Sequence, residues 1–212
     1  MTHSIKLVHI TPNAEELIAY MARVSNPANQ NNTETSQRLI RYLIEHKHWS
    51  PFEMVNMCVE INTTRSIAAQ ILRHRSFSFQ EFSQRYSPTN LLGQAVVPEL
   101  RLQDYTNRQS SLVDTEGKLT DYFSAAIESI FANSQAVYEE MIAAGVAKEC
   151  AREVLPLATP TRLYMNGTIR SWIHYCQLRC ANGTQEEHRI IATGVYKLLQ
   201  EFLPNVCAVL AV

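Results

Sequence analysis

From Val55 to Asn62, apolar and polar residues alternate: Val55, Met57, Val59 and Ile61 are interleaved with Asn56, Cys58, Glu60 and Asn62. A period of two puts one set on each face of a half-buried strand. Such a strand needs a neighbouring layer to cover its apolar face. Ser4–Ile10, rich in Ile and Val, reads as another strand. Most of the remaining chain has the helical period instead. Asn13 caps a helix predicted through Ser25, with Pro27 as its stop. A second helix is predicted over Thr35–His46, with Leu39, Ile40, Leu43 and Ile44 on one face. Ser50-Pro51-Phe52-Glu53 has capping-box spacing, with room for only a short turn. Thr64 caps a helix carrying Ile67, Ala68, Ile71 and Leu72 and ending near Arg75. Thr120–Ala144 reads as a long helix closed by Gly145, with Tyr122, Phe123, Ile127, Ile130, Phe131 and Val137 as its core stripe. Ala147–Leu155, stopped by Pro156, then Ile169–Cys180 and Gln185–Leu203, parted by Asn182-Gly183, complete the helices. Residues 91–117 read as loop, and residues 157–168 receive no element. The sum is α+β: a helix-rich single domain, residues 1–212, with a small sheet.

Composition narrows the function classes. The 212 residues are 46% hydrophobic and 18% charged, which excludes a disordered or collagen-like chain. No apolar run reaches transmembrane length, and Met1–Thr11 lacks a basic head followed by an apolar stretch. The five cysteines, at 58, 150, 176, 180 and 207, are odd in number and form no CxxC, which predicts free thiols in a reducing, cytoplasmic compartment. A net charge of -1 excludes a protein coated by nucleic acid. The positive charge is uneven, with 14 Arg against 5 Lys. Arg excess suits sites that grip phosphate or carboxylate through two bonds.

The densest polar cluster runs from Gln70 to Tyr86 and sets Arg73, His74, Arg75 and Arg85 against one acid, Glu81. Cations at a helix C-terminus offset its dipole, which accounts for one or two of the first three. In an extended segment Ser83 and Arg85 point the same way, an arrangement suited to a phosphate. By itself the cluster is an anion site or a surface patch. Its flanking Phe77, Phe79, Phe82 and Tyr86 also suit a single-stranded nucleic-acid module that stacks bases. His46 with His48, or His174 with Cys176 and Cys180, lack a fourth ligand at regular spacing, so no metal is expected. His3, His9 and His188 read as surface residues. Ser76 and Ser78 lack a nucleophile-elbow glycine, and no GxGxxG or GxxxxGK[ST] occurs.

Arg73-His74-Arg75, seven residues, Ser83, one residue, Arg85 resembles the signature of the flavin-dependent thymidylate synthases, and Glu81 stands where that family carries Glu. His48 with Ser50-Pro51-Phe52-Glu53 resembles an upstream element of the family. Ala151-Arg152 with Leu155-Pro156, Arg170-Ser171-Trp172 with His174, and Leu178-Arg179 followed by Gln185 and Glu187 resemble later ones. The resemblance spans about residues 4–204, except 91–117. It implies a small, mostly antiparallel sheet and methylation of dUMP to dTMP. Methylenetetrahydrofolate would be the carbon donor, FAD the hydride carrier and NADPH the reductant, in a homotetramer with shared sites. A flavoprotein that oxidises NADPH without methyl transfer is the nearest variant of this reading.

The resemblance also assigns roles. Gln70, Arg73, Glu81, Ser83, Arg85 and Arg152 would bind dUMP, with Ser83 and Arg85 on the phosphate. The backbone of Phe82 and Gln84 is expected to add N–H donors. Ser50, Arg73, His74, Arg75, Glu81, Arg170, His174 and His48 would meet FAD. Thr168, where the family often has Asn, keeps only a hydroxyl for that purpose, and Gly183 stands where some members have His. Arg179 would be catalytic. It cannot act as a free base at neutral pH, so it would stabilise negative charge on the pyrimidine and raise electron density at C5. None of the five cysteines lies in the anion cluster, so no cysteine nucleophile is expected.

Overall fold

The computed structural model describes residues 3–210. Along the chain run β1 (Ser4–Ile10), α1 (Ala14–Ala22), α2 (Ser36–Glu45), β2 (Asn56–Thr64), α3 (Arg65–Ile71), β3 (Ser78–Glu81), β4 (Arg101–Gln103) and β5 (Ser111–Val113). Then follow α4 (Lys118–Ala143), α5 (Lys148–Ala151), β6 (Pro160–Thr168), α6 (Ile169–Arg179), α7 (Glu186–Phe202) and α8 (Pro204–Cys207). Single 3-10 turns occur at Ser50–Glu53 and Arg152–Val154, among others.

The alternating Val55–Asn62 run becomes β2, whose Met57, Val59 and Ile61 are fully buried. β2 lies between β1 and β6, and β3 pairs with the far side of β6, all antiparallel. β6 is a strand that sequence reading leaves unassigned. Its Thr161, Leu163, Met165 and Gly167 are buried and alternate with more accessible residues, so the period of two is present. Asn166-Gly167 masks it, because this pair ordinarily marks a turn. Here Gly167 lies opposite Met57, and a Cβ on it would stand 2.4 Å from Phe77 Cδ1. The glycine serves close approach, not reversal.

Helices α3, α6 and α7 pack against this sheet, whereas α4 packs on α5 and the turn that follows it. α6 is tied to β2 by the buried Trp172 indole N–H, which donates to the Met57 carbonyl over 2.9 Å. Trp172, Phe52, Ile40, Leu163 and Ile191 belong to one continuous hydrophobic cluster. Several helix ends depart from the sequence reading: Thr64 makes no side-chain cap bond to α3, and the helix expected over Ala147–Leu155 ends at Ala151 and passes into the 3-10 turn Arg152–Val154. Asn13 precedes α1 with φ 52° and makes no side-chain cap bond, and α1 stops at Ala22 rather than Ser25. The chain turns there because the buried guanidinium of Arg23 holds the Asn32 carbonyl and the Thr35 hydroxyl. α3 ends at Ile71, four residues before Arg75.

Two regional expectations also change. Residues 91–117 include a two-stranded hairpin, β4 with β5. The stripe on α4 is not core: Tyr122 is 78% and Ile130 62% exposed, with Phe123 and Val137 also exposed. Ile127 and Phe131 are half-buried, and Tyr138 is the buried residue of that helix. Helical periodicity identified an apolar face, but the fold of this chain leaves much of it uncovered.

Candidate functional site

Because α3 ends at Ile71, Arg73, His74 and Arg75 lie on a turn beyond it and not in its last turn. Their charge therefore has little share in offsetting that helix dipole, which acts within the last turn. Arg73 and Arg75 are exposed and, among the described residues, make no ion pair. His74 turns inward. Its Nε2 accepts the Nε–H of Arg179 over 3.0 Å, and its ring lies edge-on to Tyr175 at 5.0 Å. Burial, then the Arg179 charge, lowers its pKa to about 4. A neutral imidazole accepts through one nitrogen only, so the Nδ1 of His74 carries the proton.

α6 gathers the other candidates. Its N-terminus is capped by Thr168, whose hydroxyl accepts from the Ser171 N–H at 3.2 Å and bonds Ser171 Oγ at 3.1 Å. This hydroxyl is thus already committed within the helix cap. Ser171 Oγ donates to the Ser76 carbonyl over 3.4 Å, fastening α6 to the Arg73–Arg75 turn. Beside Ser171 in this first turn, Arg170 pairs with Glu53, so this Glu serves an ion pair and no capping-box bond forms at Ser50. His174, on the same face as Arg170, packs edge-on against Trp49 at 5.0 Å, between His48 and Ser50 in the chain. Partial burial and then the Arg170 charge lower the His174 pKa. His48, Ser50, Arg170 and His174 are therefore close neighbours, and Arg179 at the other end of α6 meets His74.

The second half of the cluster lies beyond β3. Glu81 receives Arg65 at 2.5 Å and the Thr161 hydroxyl at 2.8 Å. The Phe82 N–H donates to the Arg162 carbonyl over 2.8 Å, continuing the sheet, so it is not available to an anion. This corrects the expectation for Phe82. Ser83 and Arg85 are not in an extended segment either: the Ser83 carbonyl accepts from the Tyr86 and Ser87 N–H groups and closes a turn. Both side chains nevertheless remain exposed on either side of buried Gln84. Arg85 is paired with Glu149, with contacts of 2.9 and 3.0 Å. Gln84 and Arg152 share a cavity of about 320 Å³ with Arg65. Four residues of extended β3 separate the His74 turn from this end, a span of about 13 Å.

Several groups at the site escape sequence reading. His188 is completely buried, not on the surface; its Nε2 lies 3.1 Å from the Tyr175 hydroxyl and its Nδ1 3.3 Å from Gln70 Oε1. Burial, then the charges of Arg179 and His74, lowers its pKa to about 3. The signal was present: His188 falls on the same helical stripe as Ile191, Val195 and Leu199, all buried. Arg65 and Glu149 carry no such signal, since their partners are distant in sequence. Cys180 follows Arg179, but it packs against the hydrophobic core. A hydrogen bond from Cys176 lowers its thiol pKa to about 7. Among the described residues, no group of three or more His, Cys, Asp and Glu is arranged to hold a metal ion, and no helix is long and apolar enough to cross a membrane.

Comparison with known proteins places the chain in a family. The family model described as thymidylate synthase complementing protein (Thy1) matches residues 6–205. A probable flavin-dependent thymidylate synthase of Paramecium bursaria Chlorella virus 1 is 46% identical, with 98% of each chain covered. A flavin-dependent thymidylate synthase of Synechocystis is 51% identical over 92% of this chain and 89% of its own. The fold matches that of a UMP/dUMP methylase, PolB of Streptomyces cacaoi, solved with 5-Br dUMP, at a TM-score of 0.84 and 24% identity over 98% of this chain and 93% of that one. At that identity the likeness speaks for the fold. The sequence relatives and the family model carry the assignment: the chain belongs to the flavin-dependent thymidylate synthase family.

Proposed function

We propose that the contact between Arg179 and His74 marks the place where the pyrimidine of dUMP is methylated to give dTMP, with methylenetetrahydrofolate as carbon donor and NADPH as reductant. The observation that carries this reading is the division of labour on Arg179. Its Nε–H is taken by His74, and among the described residues its two terminal nitrogens have no hydrogen-bond partner. A guanidinium held at Nε presents those nitrogens as a fixed pair of donors. Placed against the ionised N3–O4 edge of uracil, they stabilise the negative charge that makes C5 nucleophilic. No cysteine is required: Cys58, Cys176 and Cys207 are buried, Cys180 packs against the core, and the exposed Cys150 stands on α5 rather than on the His74 turn or α6.

In this reading Gln70 and Arg73 meet the base and sugar from the α3 side. Ser83 and Arg85 hold the phosphate with the Gln84 backbone N–H, and Arg152 lines the adjoining cavity. Glu81, fixed by Arg65 and Thr161, faces the sugar or the flavin from its remaining oxygen. The residues fit an FAD: exposed Arg73 and Arg75 are unpaired among the described residues and suit its diphosphate. Arg170 and His174, with Ser50 and His48 beside Trp49, offer a second polar wall. When bound, FAD supplies hydride transfer. His74 joins the two ligand regions, since it stands on the arginine turn and bonds Arg179. Thr168 contributes through α6, which its hydroxyl caps.

The exposed apolar face of α4 supports assembly of the chain as a homotetramer with shared sites, each protomer, residues 1–212, acting as one domain around its single core cluster. Five free cysteines support a cytoplasmic setting. The test is the visible spectrum of the purified protein, recorded with added FAD and then dUMP, followed by assay of dTMP. A flavin spectrum shifted by dUMP, with dTMP formed, is expected. Failure to bind FAD, with oligonucleotide binding that depends on length and salt, would replace this reading by a nucleic-acid module. NADPH oxidation without dTMP would leave a flavoprotein oxidase.

A further inference from the structure

Behind the arginine turn, a chain of side chains runs from the β4–β5 hairpin into the core. Arg101 donates to both oxygens of Glu187, at 2.7 and 2.9 Å. Burial pushes the Glu187 carboxyl up, but hydrogen bonds from its own backbone N–H, Arg101 and Gln185 outweigh this and hold it below the ordinary carboxylate range. An ionised carboxylate only accepts. The Gln185 amide nitrogen must therefore face Glu187, as it does at 2.8 Å. Its oxygen is then left for Gln70, whose amide nitrogen meets it at 2.6 Å. The Gln70 oxygen in turn faces Nδ1 of His188 at 3.3 Å, so this nitrogen must carry the proton. Nε2 is then bare and accepts the Tyr175 hydroxyl over 3.1 Å. A single carboxylate at one end thus sets the direction of every bond in the chain.

We propose that His188 is a positioning residue, which locks the Gln70 amide so that its remaining N–H, and not its oxygen, faces the nucleotide. This rests on the reading above that Gln70 meets the base of dUMP. A carbonyl oxygen of uracil is an acceptor, so a flipped amide would set oxygen against oxygen. His188 is suited to the task because it is buried, neutral and held at both nitrogens, with its ring 6.1 Å from that of His74. Among the described residues, its Nδ1–H is the one donor that reaches the Gln70 oxygen.

The experiment compares two conservative variants. In His188→Asn the side-chain amide stands near the place of Nδ1 and still donates to Gln70. In His188→Gln it stands near Nε2, serves Tyr175 and leaves the Gln70 oxygen unmet. Dissociation constants for dUMP are measured by titration calorimetry on the FAD-loaded protein, beside melting temperatures and the KM and kcat for dUMP. His188→Asn should keep dUMP affinity within about twofold, whereas His188→Gln should weaken it about tenfold, the scale of one unmet buried acceptor. The loss should appear in KM more than in kcat. In a Gln70→Ala background, His188→Gln should add less than about twofold, because the two act as one unit. Equal losses in both variants, or an undiminished loss without Gln70, would show that His188 acts through packing alone and overturn the proposal. If His188→Gln fails to fold, the tautomer of His188 in the wild-type protein decides, read from its ring nitrogen shifts by NMR: a proton on Nδ1 is expected, and a proton on Nε2 with Nδ1 bare would overturn the proposal. Wild-type dUMP affinity in Gln70→Ala itself would remove Gln70 from the nucleotide and sink the site reading together with the proposal.

Discussion

Arg179 gives its Nε–H to Nε2 of His74 over 3.0 Å, across 105 positions of sequence. The bond joins the end of α6 to the turn after α3 and leaves the terminal guanidinium nitrogens for a ligand. Arg179→Ala should retain the flavin spectrum and the fold but lose about 10²- to 10³-fold in kcat for dTMP, the scale of one preorganised donor at a developing charge. Full dTMP formation by this variant would contradict the assigned role.

His74 and His188 are both held neutral, with pKa values of about 4 and about 3 against an ordinary 6.5. In each, burial is the first cause, and Arg179 adds to it. The unfolded chain therefore takes up protons that the native one refuses as pH falls from about 6.5 towards 4, and stability drops over that window. The slope is at most about 1.4 kcal/mol per pH unit for each histidine. Urea melts at pH 7.5 and 5 should show the decline, and His188→Asn should flatten it. A stability that stays level to pH 5 would exclude buried neutral histidines here.

Arg85, placed at the phosphate, is held by Glu149, and both side chains are more than half exposed at 67% and 52%. A phosphate must compete with this carboxylate. Exposed pairs are worth about 0–1 kcal/mol, so Glu149→Gln should lower the KM for dUMP by up to about fivefold. Ser83→Ala should raise it. Neither variant should alter binding of deoxyuridine, which lacks the phosphate; an equal change for both ligands would place the phosphate elsewhere.

Gly167 and Gly194 are both crowded, but by different neighbours. A Cβ at Gly167 would meet the rigid ring of Phe77, itself 4.6 Å from the Trp172 ring, whereas one at Gly194 would meet the Cδ1 end of Ile5. Gly167→Ala should cost about 1–3 kcal/mol by overpacking, and Gly194→Ala less. Thermal melts of the two variants check the order, and a Gly167→Ala protein as stable as the parent would refute it.

Ile130 is 62% exposed on the apolar face of α4. If that face is covered by further copies of the chain, Ile130→Glu should reduce the mass seen by light scattering while the circular dichroism of the protomer stays unchanged. An unchanged oligomer would put the contact on another surface.

Much of the protein was legible one residue at a time. The alternation at Val55–Ile61, the apolar stripe of α2, the existence of helices α6 and α7, and the spacing of Arg73, His74, Arg75, Ser83 and Arg85 are local properties, set by backbone periods and by motif distance along the chain. They located the family and the candidate groups. The strand β6 was obscured because Asn166-Gly167 reads as a turn until Phe77 is brought over it. The α4 stripe was apolar as read, but which surface covers an apolar face is not a property of one helix.

Partnership was decided only in three dimensions. Nothing near Glu81 in sequence announces Arg65 or Thr161, nothing near Arg85 announces Glu149, and the Phe82 N–H was lost to the sheet when β3 found β6. His188 looked like a polar helix residue and became a buried, neutral one because Tyr175 and Gln70 closed around it. Sequence determines which groups a chain has to offer and on which face of an element each stands. Burial, hydrogen-bond direction and the protonation they impose depend on atoms a hundred residues away, and these arise only when the elements pack.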